Sequence, residues 1–264
     1  YIDNVVLVED GTTNNLIGNG DFEIGAVSGW NGAWNGIAKI AISADGKGFG
    51  GMGSGDIIIP KTDEEKRQLI DGALENWISG MLGATKDYVK AWDVVNEPMS
   101  DWPDPTKLKT GIGKTDMAAD EFYWQDYLGK DYAVRAIQLA RQYGNPDDLL
   151  FINDYGLEGA DQRKCLGLID YVKYVESKGV KVDGIGTQMH VTLGTTSLDA
   201  IIAMFKNLAA TGKMIKISEL DMGIRPEGTA ANLKTEQVTL EQSKAMAKFY
   251  QDIIKAYFDN VPAA

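Results

Sequence analysis

Cysteine and histidine are almost missing from these 264 residues: one of each, Cys165 and His190. A single cysteine excludes any disulfide within the chain and any zinc site built on cysteine pairs. Histidine is too scarce for the other common zinc sets, and the scattered carboxylates show no loop with calcium-binding spacing. The sequence therefore implies neither a metal nor another cofactor. Basic residues are also short, 26 against 38 acidic ones, for a formal charge of -12. Phosphate binding needs clustered lysine and arginine, so nucleic acid is excluded as a partner. No "GxGxxG" opens a helix after a strand, and "GFGGMGSG" does not fit that pattern, which argues against a nucleotide. No uninterrupted apolar run approaches the roughly 18 residues of a membrane helix. The opening "YIDNVVLVED" lacks the basic start and apolar stretch of a signal peptide. Either the chain is cytoplasmic, or its leader lies outside this sequence.

What is present is enough apolar material, 44% of the residues, to bury a sizeable core. The first part, residues 1–55, is rich in Gly and Asn. Short alternating runs such as "IDNVVLVE" and "IAKIAIS" are separated there by "DGTTNN", "NGAWNG" and "GKGFGGMGSG", which predicts β structure. A boundary is expected between Gly51 and Pro60. Thr62 then reads as a helix cap, followed by Glu64 and Glu65 in the first turn and apolar residues at helical spacing. Over residues 56–264 apolar runs alternate with helical patterns. The runs are "VKAWDVVNE", "LLFINDY", "VDGIGTQMH" and "MIKISELD"; the helices are expected near 119–143, 162–178, 198–210 and 240–258. This alternation predicts four parallel βαβ units, with helices on both sides of a sheet or around a barrel.

Each predicted strand ends in polar residues: Asn96 and Glu97, Asn153 and Asp154, Gln188 and His190, Glu219 and Asp221. In a parallel α/β fold the C-terminal strand ends lie on one side, so these residues converge on one site. A buried glutamate is costly unless paired or used, which places Asn96 and Glu97 where a core strand meets solvent. Two carboxylates facing each other at strand ends suit cleavage of a glycosidic bond, one protonating the leaving oxygen and the other attacking the anomeric carbon. His190, near Glu219 and Asp221, could donate to both and orient the former. Asn-Asp-Tyr at 153–155 also fits a plain turn. Trp92 reads as core; Trp102, Trp124 and Tyr155 are aromatic candidates for stacking on sugar, although Trp124 at helical spacing also fits packing.

"WDVVNEP", "FINDY", "GIGTQMH" and "ISELDM", in this order and spacing, resemble the fourth to seventh strands of glycoside hydrolase family 10, whose members are mainly endo-β-1,4-xylanases. The resemblance implies part of a (β/α)8 TIM barrel over 56–264 and a substrate of xylan or xylo-oligosaccharides. By resemblance, Glu97 is the general acid/base and Glu219 the nucleophile. His190 orients Glu219, Asp221 supports His190, and Asn96, Gln188, Tyr155 and Trp102 bind substrate. A retaining mechanism follows, with the two carboxyl groups about 5 to 5.5 Å apart and Glu97 initially protonated through a raised pKa. The opening residues add a second resemblance: "NLIGNGDFEIG" and "SGWNGAWN" look like pieces of a family 4, 9 or 22 type carbohydrate-binding module. Xylanases of gut Bacteroidetes carry such modules inserted between the third and fourth strands, which implies an exported protein, extracellular or at the outer-membrane surface.

The pattern departs from the family where the first three strands and the eighth have no counterpart, and where Gly156 follows Tyr155 in place of the usual Asn. The expectation is a portion of a longer protein, whose partner is the remainder of its own barrel. Two other readings stand beside the xylanase: a non-catalytic glycan-binding protein or inactive fragment, and a retaining glycosidase acting on another β-glycan.

Overall fold

A computed structural model describes residues 39–43, 54–58, 61–118, 121–226, 228–229 and 231–263. The chain divides into two compact units, Tyr1–Lys66 and Arg67–Ala264. In the first, β1 (Lys39–Ser43) pairs antiparallel with β2 (Ser54–Ile58), Ala41 opposite Asp56. Strand β2 falls inside the stretch expected to be a boundary and takes Ser54 and Gly55 from the expected glycine-rich separator. The module-like segments "NLIGNGDFEIG" and "SGWNGAWN", and the opening run "YIDNVVLVED", lie outside the described residues. Helix α1 (Asp63–Thr85) starts where Thr62 predicts it, in a reciprocal cap: the Glu65 amide donates to Thr62 Oγ1 at 3.2 Å and the Thr62 amide to Glu65 Oε2 at 2.7 Å.

The second unit continues along the chain as β3 (Ala91–Asn96), α2 (Trp124–Leu128), α3 (Tyr132–Tyr143), β4 (Leu149–Asp154), α4 (Arg163–Ser177), β5 (Gly184–Thr187), β6 (His190–Leu193), α5 (Leu198–Ala209), β7 (Met214–Ile217), β8 (Asp221–Ile224) and α6 (Leu240–Asn260). Four strands form one parallel sheet in the order β3-β4-β5-β7, and β6 pairs with β8 in a separate parallel ladder. The predicted alternation of strand and helix is what the chain adopts.

Three expectations need correction. The helix expected over 119–143 is two helices, because Gly129 takes a left-handed φ of 70° and its amide closes α2 on Gln125 O at 2.9 Å. His190 and Asp221 do not end the strands that precede them. Met189 at φ 64° turns the chain after β5, so His190 opens β6 and Asp221 opens β8. Strand β3 is no sheet interior. Among the described residues β4 is its one partner in the sheet, and Val95 alone of its side chains is buried, with Trp92 and Val94 half-buried.

The core centres on β4, buried from Leu150 to Asp154, against Ile137 of α3, Leu168 and Val172 of α4, Ile201 and Phe205 of α5 and Ile253 of α6. Strand β5 can lie this close to β4 because it has almost no side chains facing it. A Cβ on Gly184 would come within 2.1 Å of the Phe151 ring, and one on Gly186 within 2.2 Å of Asn153 Oδ1. Below the sheet, Asp183 is buried against Arg141 and accepts the Leu150 amide at 3.0 Å. Burial pushes its carboxyl up, but Lys181, that amide and Arg141 hold it below the ordinary range.

Candidate active site

The parallel ladder runs one step past the C-terminal ends of the strands. Glu97 N donates to Asn153 O at 2.7 Å, Gln188 N to Asp154 O at 2.9 Å, Ser218 N to Thr187 O at 3.0 Å, and Glu219 N to Gln188 O at 3.1 Å. The backbones of Glu97, Gln188 and Glu219 are thus pinned by neighbouring strands rather than left to loops. Glu97 has a left-handed φ of 54°, which for a residue with a Cβ costs about 1–3 kcal/mol and persists only when its surroundings over-determine it. That turn sends the chain from β3 into Pro98 while leaving the Glu97 side chain at the rim.

Asn153 is the hub. It sits in register between Asn96 and Gly186, and the missing side chain at Gly186 leaves room for its amide. Its Nδ2 donates to Asn96 Oδ1 at 2.9 Å and to Glu219 Oε1 at 3.1 Å, while its Oδ1 accepts Ser218 Oγ at 2.9 Å. Gln188 Nε2 donates to Glu97 Oε1 at 3.0 Å and to Asn96 Oδ1 at 3.3 Å. Glu97 and Glu219, expected to meet, are thereby joined through Gln188, Asn96 and Asn153. His190 places Nε2 at 3.4 Å from Glu219 Oε2 and Nδ1 at 2.8 Å from Asp221 Oδ2. Both glutamates remain open to a ligand, with side chains 38% and 44% exposed.

The electrostatics differ from expectation at Glu97. Burial raises its pKa, but the Gln188 hydrogen bond, the Lys109 ammonium and the charge of Lys164 outweigh that, and the carboxyl lies below its ordinary value. A Glu97 kept protonated by its surroundings is therefore not what the structure holds. The physical reason is the pair of donors on its two oxygens, Gln188 Nε2 at 3.0 Å from Oε1 and Lys109 Nζ at 3.1 Å from Oε2. For His190, burial works against the charged form, but Asp221 and Glu219 prevail and raise its pKa.

Tyr155 stands at the rim with its hydroxyl bonded to Asp101 and its ring centre 3.6 Å from Lys164 Nζ and 4.9 Å from Lys109 Nζ. Burial, then Asp101, raises the Tyr155 pKa. A cleft of about 480 Å³ beside Glu97 is lined by Asn96, Asp101, Lys109, Trp124 and Tyr155. A second cleft, of about 660 Å³, shares Asp101 and Lys109 with it and extends to Trp102. Trp102 is 83% exposed and stands apart from the hydrogen-bonded cluster. Trp124 lines the first cleft yet also packs on the core.

Three contributors escaped the sequence reading as site residues: Lys109, Ser218 and Lys164. Lys164 is a buried cation between Asp101 at 2.7 Å and Asp154 at 3.2 Å. Asn153, readable as a turn residue, proves central. Its signal was the pairing of Asn153 with a glycine in the next strand, visible only once register is known.

Two carboxylates at the C-terminal rim of parallel strands, each held by amides, define the class: a glycoside hydrolase domain of the α/β-barrel kind. The family profile described as "Glycosyl hydrolase family 10" matches residues 58–263, and the chain belongs to that family. Endo-1,4-beta-xylanase A of Halalkalibacterium halodurans is 31% identical over 208 residues, covering 77% of this chain and 48% of that protein. Endo-beta-1,4-xylanase Xyn10C of Cellvibrio japonicus is 34% identical over 180 residues, covering 67% and 28%. Among solved structures, xylanase B from Clostridium stercorarium F9 matches with a TM-score of 0.63 at 31% identity, over 75% of this chain and 54% of that one. The chain thus spans about half or less of the length of these relatives.

Proposed function

We propose that the protein is a retaining endo-β-1,4-xylanase that cleaves the xylan backbone by double displacement. The observation that carries this is the relay of amides linking Glu97 to Glu219 across the strand ends. In this reading Glu219 attacks the anomeric carbon while Glu97 gives a proton to the leaving oxygen; Glu97 then takes a proton from the water that releases the glycosyl group. His190, bound to Asp221, orients Glu219. Asn96 and Gln188 meet the sugar at the cleavage point, and Tyr155 and Trp102 line the leaving-group side. The names of the relatives support xylan as substrate. The same proposal takes residues 1–55 as a piece of carbohydrate-binding type and the protein as exported, on the strength of the module-like motifs.

The test is proton NMR of the first product from xylohexaose. The β-anomer is expected, and its loss is expected in Glu219→Ala; an inverted product, or normal hydrolysis by Glu219→Ala, would sink the proposal. Products from xylan, mixed-linkage glucan and cellulose fix the substrate. The charged state in which Gln188 and Lys109 hold Glu97 favours a second reading, a glycan-binding protein without turnover. Xylo-oligosaccharide binding with no reducing sugar released would establish it.

A further inference from the structure

The loop after Glu97 folds back on itself. Met99 and Leu108 form an antiparallel bridge, Ser100 N donates to Lys107 O at 2.7 Å, and Lys109 N donates to Pro98 O at 2.8 Å. Both bridge side chains are buried, at 1% and 8% exposure, and the Met99 amide is tied to Asp154 Oδ2 at 2.9 Å. This hairpin delivers Lys109 back beside the residue from which the loop departs. The ammonium meets Glu97 Oε2 at 3.1 Å, while Gln188 Nε2 meets Oε1 at 3.0 Å. A lysine has only protons to give, and the Gln188 amide nitrogen likewise donates. A neutral Glu97 would have to turn its own hydroxyl toward one of these donors and lose that bond.

We infer that Lys109 is a positioning residue for Glu97, a cation clamped by the hairpin that keeps this carboxylate charged, aimed and ready to accept a proton. Resting on the xylanase reading, this makes the second half of the reaction, in which Glu97 acts as base, the preset half. The first half requires a proton to reach Glu97 and loosen Lys109. The other groups facing Glu97 are Lys164 from α4, Tyr155 with its bound Asp101 at the end of β4, and Glu219 through Asn153. Of these, Lys164 is held by Asp101 and Asp154, so Lys109 is the cation in direct contact.

The test is a pH titration of the chain labelled with ¹³C at the glutamate carboxyl, the Glu97 signal being assigned by its loss in Glu97→Gln. Lys109→Met is expected to move the Glu97 midpoint up by about one pH unit, and Lys109→Arg to restore it. An unchanged midpoint in a folded Lys109→Met, with the His190 signals in place, would overturn the inference. Should Lys109→Met not fold, Lys109→Gln asks the same question with the same two outcomes. The alkaline limb of kcat/KM on xylohexaose should move with the midpoint, whereas an aryl glycoside whose leaving group departs unprotonated should show no such movement. Because the titration needs no turnover, absence of hydrolysis would strike the proposed function and leave Lys109 to be judged by the midpoint.

Discussion

Glu97 accepts from a lysine brought back by its own loop and from the Gln188 amide, whereas Glu219 faces the Asn153 amide and a histidine that opens a different strand. One carboxylate is thus neutralised by a neighbour twelve positions along the chain. The other is served only by groups remote in sequence, through the sheet. Placing two chemically identical side chains on one rim does not give them one role; the partners do. In the proposed mechanism the group that exchanges a proton is set beside the lysine that the hairpin returns, and the group that attacks carbon is set against the Asn153 amide and an imidazole.

The sharpest way to break this comparison is to remove each carboxylate and vary the leaving group. Glu219→Ala should lose more than about 10⁴-fold in turnover on every substrate, since the covalent step itself goes. Glu97→Ala should lose about 10²–10⁴-fold on xylo-oligosaccharides and far less on an aryl glycoside that needs no proton. Equal losses on both substrates would erase the distinction. Next in size is Gly186→Ala. A methyl there meets Asn153 Oδ1 at 2.2 Å, and displacing the hub by a fraction of an ångström should cost about 10²-fold in kcat with the fold kept. Steady-state kinetics beside a thermal melt would check it.

The smallest effect belongs to His190. As the one histidine, it gives an unambiguous imidazole titration, expected above the ordinary value of about 6.5 and brought down by Asp221→Asn. A folded pKa above the unfolded one means that this contribution to stability is complete below about pH 6.5 and is lost as pH rises through the folded value. Asp221→Asn should flatten that part of the stability profile, read by denaturant melts between pH 5 and 9.

Much of this was legible beforehand, and the parts that were not share a cause. Strand–helix alternation and polar strand ends are local signals, so β3, β4, β5 and β7 and the convergence of Asn96, Glu97, Gln188 and Glu219 could be read from spacing. The break between α2 and α3 was also local: "LGKD" carries the glycine that ends a helix, overshadowed by the apolar periodicity on either side. Lys109 was not legible, because the Met99–Leu108 bridge that returns it follows no period. His190 was read correctly as a neighbour of Glu219 and Asp221, but not as the start of its own strand, since Met189 turns the chain with a conformation that methionine rarely adopts. The lowered pKa of Glu97 depends on the Gln188 hydrogen bond and on that same lysine, so the expectation failed in part for the same reason.

The two glycines of β5 carry a consequence for how this scaffold can change. At Gly184 and Gly186 the side chain is already as small as chemistry allows, and any larger replacement collides with Phe151 or Asn153. Evolutionary drift and engineering alike are therefore shut out of the floor of the site. New preferences have to be written into the exposed part of the loop that carries Trp102, where a wrong guess alters affinity while the strands beneath stay as they were.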